Sequence, residues 1–524
     1  MSQPSTVPEL GRLSRPGSTM HTDPSNDHKT DSTQDVHDDR KDVHINFEDA
    51  EAGIVQDLDY KQEKPDSEWD SDPENPRNWS NGKKWRTTAV VSVYTFVSPL
   101  ASSMIAPALP QIAGHFKITN PTIAALTLSI YILAYALGPL VLGPLSEIYG
   151  RSVVLHVSNI VFVIFNVVSA VAPTDGALIV FRFIAGLGGS APLAIGAGSI
   201  GDMFREENRA AAMAIFSMGP LVGPVVGPVA GGFIAESLGY KWIFGIISIV
   251  GGIAGIYGIF TIQETYHPVI LERREMKKFL DDEKRGVASV RPHRPALKDV
   301  LWVNLTRPVI LLTRSFICFM LSLYMSVIYG ILYLMFVTFP SLYEDFYGWG
   351  PGVSGLSYLG VGIGFLIGVI LGGVFVDKIY IRLRDRNGGV GKPEFRIPMM
   401  FFGSACLPIG LLWYGWTADK HLNWILPIIG SGIYGLGMIT CFLSIQVYMV
   451  DSFKYAASAV AAGTVLRSLF GFAFPLFADR IFTSLGVGPG YSLLTGIVIL
   501  VGVPFPVWIY FKGESLRARD NLAR

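Results

Sequence analysis

Three cysteines in 524 residues, Cys318, Cys406 and Cys441, are too few and too scattered to staple or ligate anything. Each stands in its own apolar run, so neither a disulfide framework nor a zinc site is expected and each reads as a packing residue. No glycine-rich phosphate loop closing on Lys-Ser/Thr occurs, no His-Glu-x-x-His and no serine nucleophile elbow. ATP-driven pumping and hydrolysis therefore lack their residues, and neither an enzyme, a metal nor an organic cofactor is expected. The N-terminus has no basic start followed by an apolar core and a cleavage site, so insertion by the first span is expected instead of a removed signal. Charged residues make up only 16%, with a formal net charge of +0, and nothing in them points to nucleic acid.

Apolar length is what the chain has in excess. Hydrophobic residues make up 50% and mean hydropathy is +0.40, more apolar surface than a soluble protein of this length needs to bury. The expected class is an all-α membrane protein embedded in the lipid bilayer. Residues 1–80 differ, being rich in Asp, Ser, Thr, Asn and Pro. They cannot bury enough surface to offset ordering entropy and are expected to form a disordered cytosolic tail. His21, His28, His37 and His44 lie there, form no i, i+4 pair and read as solvated residues.

Twelve apolar runs long enough to cross about 30 Å follow. They lie near Thr87–Pro107, Ile123–Leu145, Val153–Ala172, Ala177–Ile200, Ala210–Ile234, Trp242–Ile262, Val309–Phe339, Val353–Val376, Ile397–Trp416, Leu426–Val450, Ala456–Phe477 and Tyr491–Phe511. A charged segment, Glu272–Lys298, separates the sixth from the seventh. The expected division is a tail at 1–80, a six-helix bundle at 81–264, a central cytosolic loop at 265–306, a second six-helix bundle at 307–512 and a cytosolic tail at 513–524. Basic residues crowd the loop after span 8 (Lys378, Arg382, Arg384, Arg386, Lys392, Arg396), the central segment and the C-terminus, while alternate loops are nearly bare. The positive-inside rule then puts both termini in the cytosol. Span 8, with Gly360, Gly364, Gly368 and Gly372 before Asp377, echoes span 2, with Gly138 and Gly143 before Glu147. Two pseudo-symmetric six-helix bundles with a pathway between them are the economical explanation.

Span 5 carries Gly219, Pro220, Gly223, Pro224, Gly227, Pro228 and Gly231, a glycine stripe beside a proline stripe. Small residues at this spacing let another helix approach backbone to backbone, and the prolines bend the helix. Arg182 sits inside span 4 with apolar neighbours on both sides. A guanidinium deep in a bilayer costs about 2.5–3.5 kcal/mol and cannot shed its proton, so it is a functional candidate. Arg467, midway along span 11, falls under the same argument, whereas Arg314 is placed to snorkel. Between spans 2 and 3, Glu147 and Arg151 are placed to form a gating pair, and the loop after span 4 repeats the theme with Asp202, Arg205 and Arg209. Tyr131, Tyr135, Phe183, Tyr324, Tyr329, Tyr333, Gln446 and Tyr448 are candidate pathway residues for a large, mostly apolar ligand; interhelical hydrogen bonding is an equal reading for the polar ones.

These motifs resemble the major facilitator superfamily, specifically the twelve-span drug:proton antiporters of fungi, from about residue 72 to the end. Gly143–Arg151 matches the loop signature between spans 2 and 3, Arg182–Gly186 the span 4 arginine motif, Gly219–Gly232 the antiporter motif, and Asp72–Trp85 the lead-in of the fungal group. Ser98–Met104, Pro393–Arg396 and Asp451–Phe453 also look like fungal family signatures. Glu147 departs from the common Asp, and Arg314-Ser315 stands where many relatives have Glu-Pro. The resemblance implies a monomeric plasma-membrane exporter of drugs, xenobiotics or fungal secondary metabolites. Its energy source would be the proton gradient, and its mechanism alternating access. The alternatives are a carrier of polyamines or another physiological solute and, from a different class, a non-transporting receptor or scaffold.

Overall fold

Crossing a bilayer takes about 20 helical residues at 1.5 Å each. The computed structural model describes residues 67–205, 208–286, 297–520 and 522, and twelve of its helical stretches meet that length and composition. They are Asn81–Phe116, Pro121–Tyr149, Arg151–Ala170, Asp175–Met203, Ala211–Ser237, Tyr240–Thr261, Phe316–Tyr347, Pro351–Arg386, Pro398–Asp419, Ile425–Ser452, Ala456–Leu485 and Val487–Arg517, numbered below as spans 1 to 12. The protein is a multi-pass membrane protein.

Pseudo-symmetry is visible in which spans pack together. In the first bundle span 1 lies on 5, 2 on 4, and 3 on 4 and 6; in the second, 7 lies on 11, 8 on 10, and 9 on 10 and 12. Every pair recurs six spans later. The bundles meet where span 2 lies on 11 and span 5 on 8. The echo expected between spans 2 and 8 thus has a structural counterpart. A Cβ on Gly138 would meet Ser190 of span 4, and one on Gly364 would lie 2.0 Å from Gly432 O of span 10.

Three boundaries depart from expectation. The run expected as Val309–Phe339 is divided: Leu297–Arg314 is a separate helix, and span 7 starts at Phe316 after Ser315 turns extended (φ −100, ψ 107). Ser315 Oγ accepts from Cys318 N–H at 3.3 Å, so the serine caps a new helix start that the apolar pattern conceals. Second, most of the first half of the expected central loop is the charged helix His267–Lys284.

The third departure is the end of the tail. Residues 1–66 lie outside the described residues, but Ser67–Ser71 is helical, with Trp69 docked on the helix His267–Lys284, and Pro76–Asn78 is a 3-10 turn that packs on span 4. Trp69 packs on His267 with ring centroids 4.3 Å apart. Arg274 donates from Nη1 to Asp72 Oδ2 and from Nη2 to Glu74 Oε2, both at 2.6 Å. The Asp72 carboxyl is held below its usual value of 3.8 chiefly by the hydrogen bond from Arg274. A carboxyl whose folded-state value is depressed contributes above its unfolded value and loses that contribution as pH falls through the folded one. Docking is therefore expected to persist at neutral pH and weaken below 3.8. Arg274→Ala is expected to speed hydrogen exchange over Asn75–Trp79 at neutral pH with little change in thermal midpoint; unchanged exchange would show that the ion pairs do not hold the segment.

Candidate functional site

Span 1 bends where its sequence forces it to. Pro99 removes one N–H from the helix interior, the α-helix ends at Ser103, and Ala106–Ala108, with Pro107, continues as a 3-10 turn. A helix end releases its last carbonyls, and those of Ala101 and Ser102 find their partner in Arg182. Arg182 Nη1 donates to Ala101 O at 3.0 Å, Nη2 to Ser102 O at 3.4 Å and Nε to Thr127 O of span 2 at 3.1 Å. Its guanidinium lies 4.8 Å from the Tyr131 ring centre, and the residue is 0% exposed. A cation at a helix C-terminus is favoured by the dipole as well as by the bonds. Arg182 is thus a cap on the break in span 1, and among the described residues no carboxylate contacts it.

Span 5 presses on the same segment from the other side. A Cβ on Gly219 would lie 2.9 Å from Phe96 N, on Gly223 2.9 Å from Phe96 O, on Gly227 2.8 Å from Leu100 O and on Gly231 1.9 Å from Met104 O. The glycine stripe is therefore a backbone-to-backbone seam along Thr95–Met104 of span 1. The opposite flank of span 5 meets the second bundle: a Cβ on Gly362 would lie 2.2 Å from Val225 Cγ1, and one on Gly355 2.6 Å from Pro228 O. Glu236 Oε2 accepts from Gly352 N–H at 3.0 Å at the end of the same contact. Pro220 and Pro224 lie in the same uninterrupted helix, Arg209–Ser237.

Span 1 also carries the hydroxyls of the seam between the bundles. Ser98 Oγ lies 2.5 Å from Tyr135 Oη and 3.3 Å from Tyr131 Oη, and donates to Gly189 O at 2.5 Å. Ser102 Oγ lies 3.3 Å from Tyr333 Oη of span 7. Tyr329 and Tyr333 pack with centroids 5.0 Å apart, and Arg467 of span 11 lies 4.9 Å over the Tyr329 ring. Tyr131, Tyr135, Tyr329, Tyr333 and Arg467 thus converge on the seam. Tyr324 does not: its Oη lies 2.7 Å from Ser404 Oγ of span 9, inside the second bundle. Tyr448 is buried, and Phe183 and Gln446 are half-buried. A cavity of about 520 Å³ lies between the ends of spans 1, 7 and 11 and the starts of spans 2 and 12, lined by Leu109, Ala125, Thr338, Asp345, Asp479 and Tyr491 among others.

At the face bearing the basic loops, Glu147 and Arg151, expected to pair in one conformation only, are not paired in this one. Arg151 Nε bonds Asp202 Oδ2 at 2.6 Å, and Asp202 also accepts from Thr265 Oγ1 at 3.2 Å, while Glu147 is exposed and forms no ion pair among the described residues. Gly150, at φ +103, ends the helix between Glu147 and Arg151 and turns the arginine away. Arg209 donates to Gly201 O at 3.3 Å rather than to Asp202. The hub that sequence reasoning missed is Glu264, just past span 6. It accepts from Arg151 N–H at 2.9 Å, Ser152 Oγ at 2.9 Å, and Thr265 and Tyr266 N–H both at 3.1 Å. Its signal was a carboxylate just before Pro268, which opens a helix. Burial, then the charge of Glu147, pushes the nearby Tyr266 phenol up to about 12. Arg396 repeats the arrangement in the second bundle, bonding Asp451 Oδ2 at 3.1 Å and also Asp377, while Arg517 pairs with Glu394 at 2.9 Å.

Bonds to a charged acceptor are worth about 1.5–3 kcal/mol each. Glu264→Ala is expected to strip the start of span 3 of its partner and speed amide exchange at Arg151–Val154. Exchange unchanged from wild type would remove Glu264 from the hub.

Two six-helix bundles, helix breaks at a buried seam and mirrored ion clusters on one face define a two-domain membrane carrier. Residues 91–475 match the Major Facilitator Superfamily, and the chain belongs to it. It is 44% identical to the MFS transporter cpaT of Aspergillus oryzae over 467 residues, 88% of this chain and 94% of that one. It is likewise 44% identical to the efflux pump vrtL of Penicillium aethiopicum over 464 residues, 87% of this chain and 91% of that one. A partially occluded inward open structure of the xylose transporter XylE from E. coli shares the fold, with a TM-score of 0.61 and 15% identity, covering 82% of this chain and 98% of that one.

Proposed function

We propose that the protein exports amphipathic organic compounds, drugs, xenobiotics or secondary metabolites among them, by proton antiport and alternating access, as a plasma-membrane monomer with both termini and the basic face in the cytosol. The observation that carries this reading is the convergence of Arg182 and the span 5 glycine stripe on one short segment of span 1. That segment is capped by a charge, freed from its own helix ladder, and bonded across the seam through Ser102. The relatives named as efflux pumps support the direction of transport. A proton entering down about one pH unit and 100 mV releases roughly 1.4 plus 2.3 kcal/mol, enough to concentrate a neutral compound several-hundred-fold. The carboxylates of the spans, such as Glu147, Asp202, Glu236, Asp377, Asp451 and Asp479, sit near span ends. Proton binding is therefore assigned to an end cluster, with Glu147 the unpaired candidate beside Arg151.

The test is uptake of a panel of fluorescent toxic compounds into inside-out vesicles with an imposed proton gradient. Uptake is expected to follow the gradient and to collapse with a protonophore. Uptake unchanged by the protonophore would reject proton coupling, and no uptake of any compound relative to empty vesicles would reject export.

A further inference from the structure

The two arginines deep in the spans have opposite surroundings. Arg182 has a carbonyl for each of its three nitrogens. Arg467 is half-buried, its Nε is shielded from solvent with no hydrogen-bond partner, and no carbonyl, hydroxyl or carboxylate accepts from it among the described residues. It lies about 5 Å along the helix from the midpoint of Ala456–Leu485. A guanidinium stays charged at every biological pH, so this charge needs a partner that the side chains do not provide.

Packing does not explain its presence either. Gly463, Arg467, Gly471 and Pro475 follow one another at every fourth residue, on the face of span 11 that lies against span 7. A Cβ on Gly463 would lie 2.7 Å from Met325 Cε, and one on Gly471 2.9 Å from Tyr329 Cδ1 and 3.1 Å from Ile132 Cγ2 of span 2. The positions on either side have no room for a side chain unless Met325 or Tyr329 shifts, and between them stands one of the largest. Span 11 corresponds to span 5 in the other bundle, where the close-packed stripe is glycine throughout. Arg467 breaks that stripe at the seam, beneath Tyr329 and 5.9 Å from the Phe442 ring centre. Tyr329 stacks on Phe442 at 6.1 Å and packs on Tyr333 at 5.0 Å, so one fixed cation is set among aromatic faces.

We infer that Arg467 receives the anionic group, a carboxylate or enolate, of an amphipathic ligand whose apolar body lies on the rings of Tyr329, Tyr333 and Phe442. A planar fork with unmet donors suits a carboxylate, and flat rings suit an extended apolar body. One cation specifies one negative charge, so the ligand class is organic monoanions, in preference to neutral compounds or cations. This deepens the export reading and rests on it for the assignment of the seam as the substrate path.

The experiment uses the purified full-length chain in nanodiscs, with naphthoate, neutral naphthamide and cationic naphthylmethyl trimethylammonium as probes of one ring system. Binding is read by quenching of intrinsic fluorescence. Naphthoate is expected to bind about tenfold or more tighter than the amide, with the ammonium weakest. Arg467→Gln is expected to erase the preference and leave amide binding within about twofold, and Arg467→Lys to keep the preference within about threefold. A wild-type ranking with the ammonium first, or an anion preference that survives Arg467→Gln, overturns the assignment. Should Arg467→Gln fail to fold, the charge ranking of the wild type and of Arg467→Lys decides alone. Export of the ammonium by the wild type faster than export of naphthoate would overturn the anion site and leave the export reading standing. Naphthoate binding that depends on Arg467, without transport of any probe, would keep the site and reject export.

Discussion

Gly231→Ala is expected to cost the protein most of its export activity, although alanine adds one carbon. The geometry grades the glycine stripe. The added Cβ at Gly231 would lie 1.9 Å from Met104 O, a backbone atom that cannot rotate away. At Gly227 the nearest atoms are Ser103 Oγ at 2.5 Å, which can turn, and Leu100 O at 2.8 Å. At Gly219 and Gly223 the nearest backbone lies at 2.9 Å, still closer than a Cβ tolerates, so the two helices would have to part slightly. Alanine is therefore expected to be most severe at Gly231 and less severe, though still costly, at Gly227, Gly219 and Gly223. Leucine at Gly223 or Gly227 is expected to lower export about 100-fold or more, since a displacement of about 1 Å at a functional seam has effects of that size. Val225 is no control, because its side chain already fills the gap opposite Gly362 of span 8. Val226 is: it is 38% exposed, and Val226→Leu should export normally. The measurements are initial export rates normalised to the amount of inserted protein. Equal losses at Gly231→Ala and Val226→Leu would show that the stripe has no special part.

Hydropathy carried the span count and the division into bundles, because a bilayer demands long apolar helices and shows through in every one of them. Spacing carried the stripe, since residues four apart share a helix face. What stayed hidden were the places where chain direction changes. Between Leu297 and Tyr347 the apolar pattern runs on past Arg314-Ser315, and only a serine cap marks the break. Glu147 and Arg151 look like a helical i, i+4 pair, but the positive φ of Gly150 lies between them and hands Arg151 to Asp202. The role of Arg182 was half visible. Its depth in span 4 announced a function, but its partners are main-chain carbonyls of another helix, which leave no mark on any side-chain pattern.

Those carbonyls set the expected result for Arg182→Ala, which is loss of export with part of the fold's stability. Removing the guanidinium strands the carbonyls of Ala101 and Ser102, because the last N–H of their own helix, that of Met104, goes to Leu100 O. Each buried polar group left without a partner costs about 1–3 kcal/mol, partly offset because a buried charge is also removed. Arg182→Lys is expected to keep little activity, since one compact ammonium cannot span Ala101 O and Thr127 O as a planar fork does. Loss of activity alone would not separate a cap on span 1 from a group that meets substrate. A double-mutant cycle does. If Arg182 and the glycine stripe both act through residues 95–104 of span 1, Gly227→Ala added to Arg182→Lys should slow export less than the product of the single effects. Sites that share a partner couple, whereas sites that do not add independently. The readouts are maximal rate and half-saturating substrate concentration for the four proteins. Multiplicative losses, with Arg182→Lys raising only the half-saturating concentration, would place Arg182 on the substrate and leave span 1 without its cap as a working part.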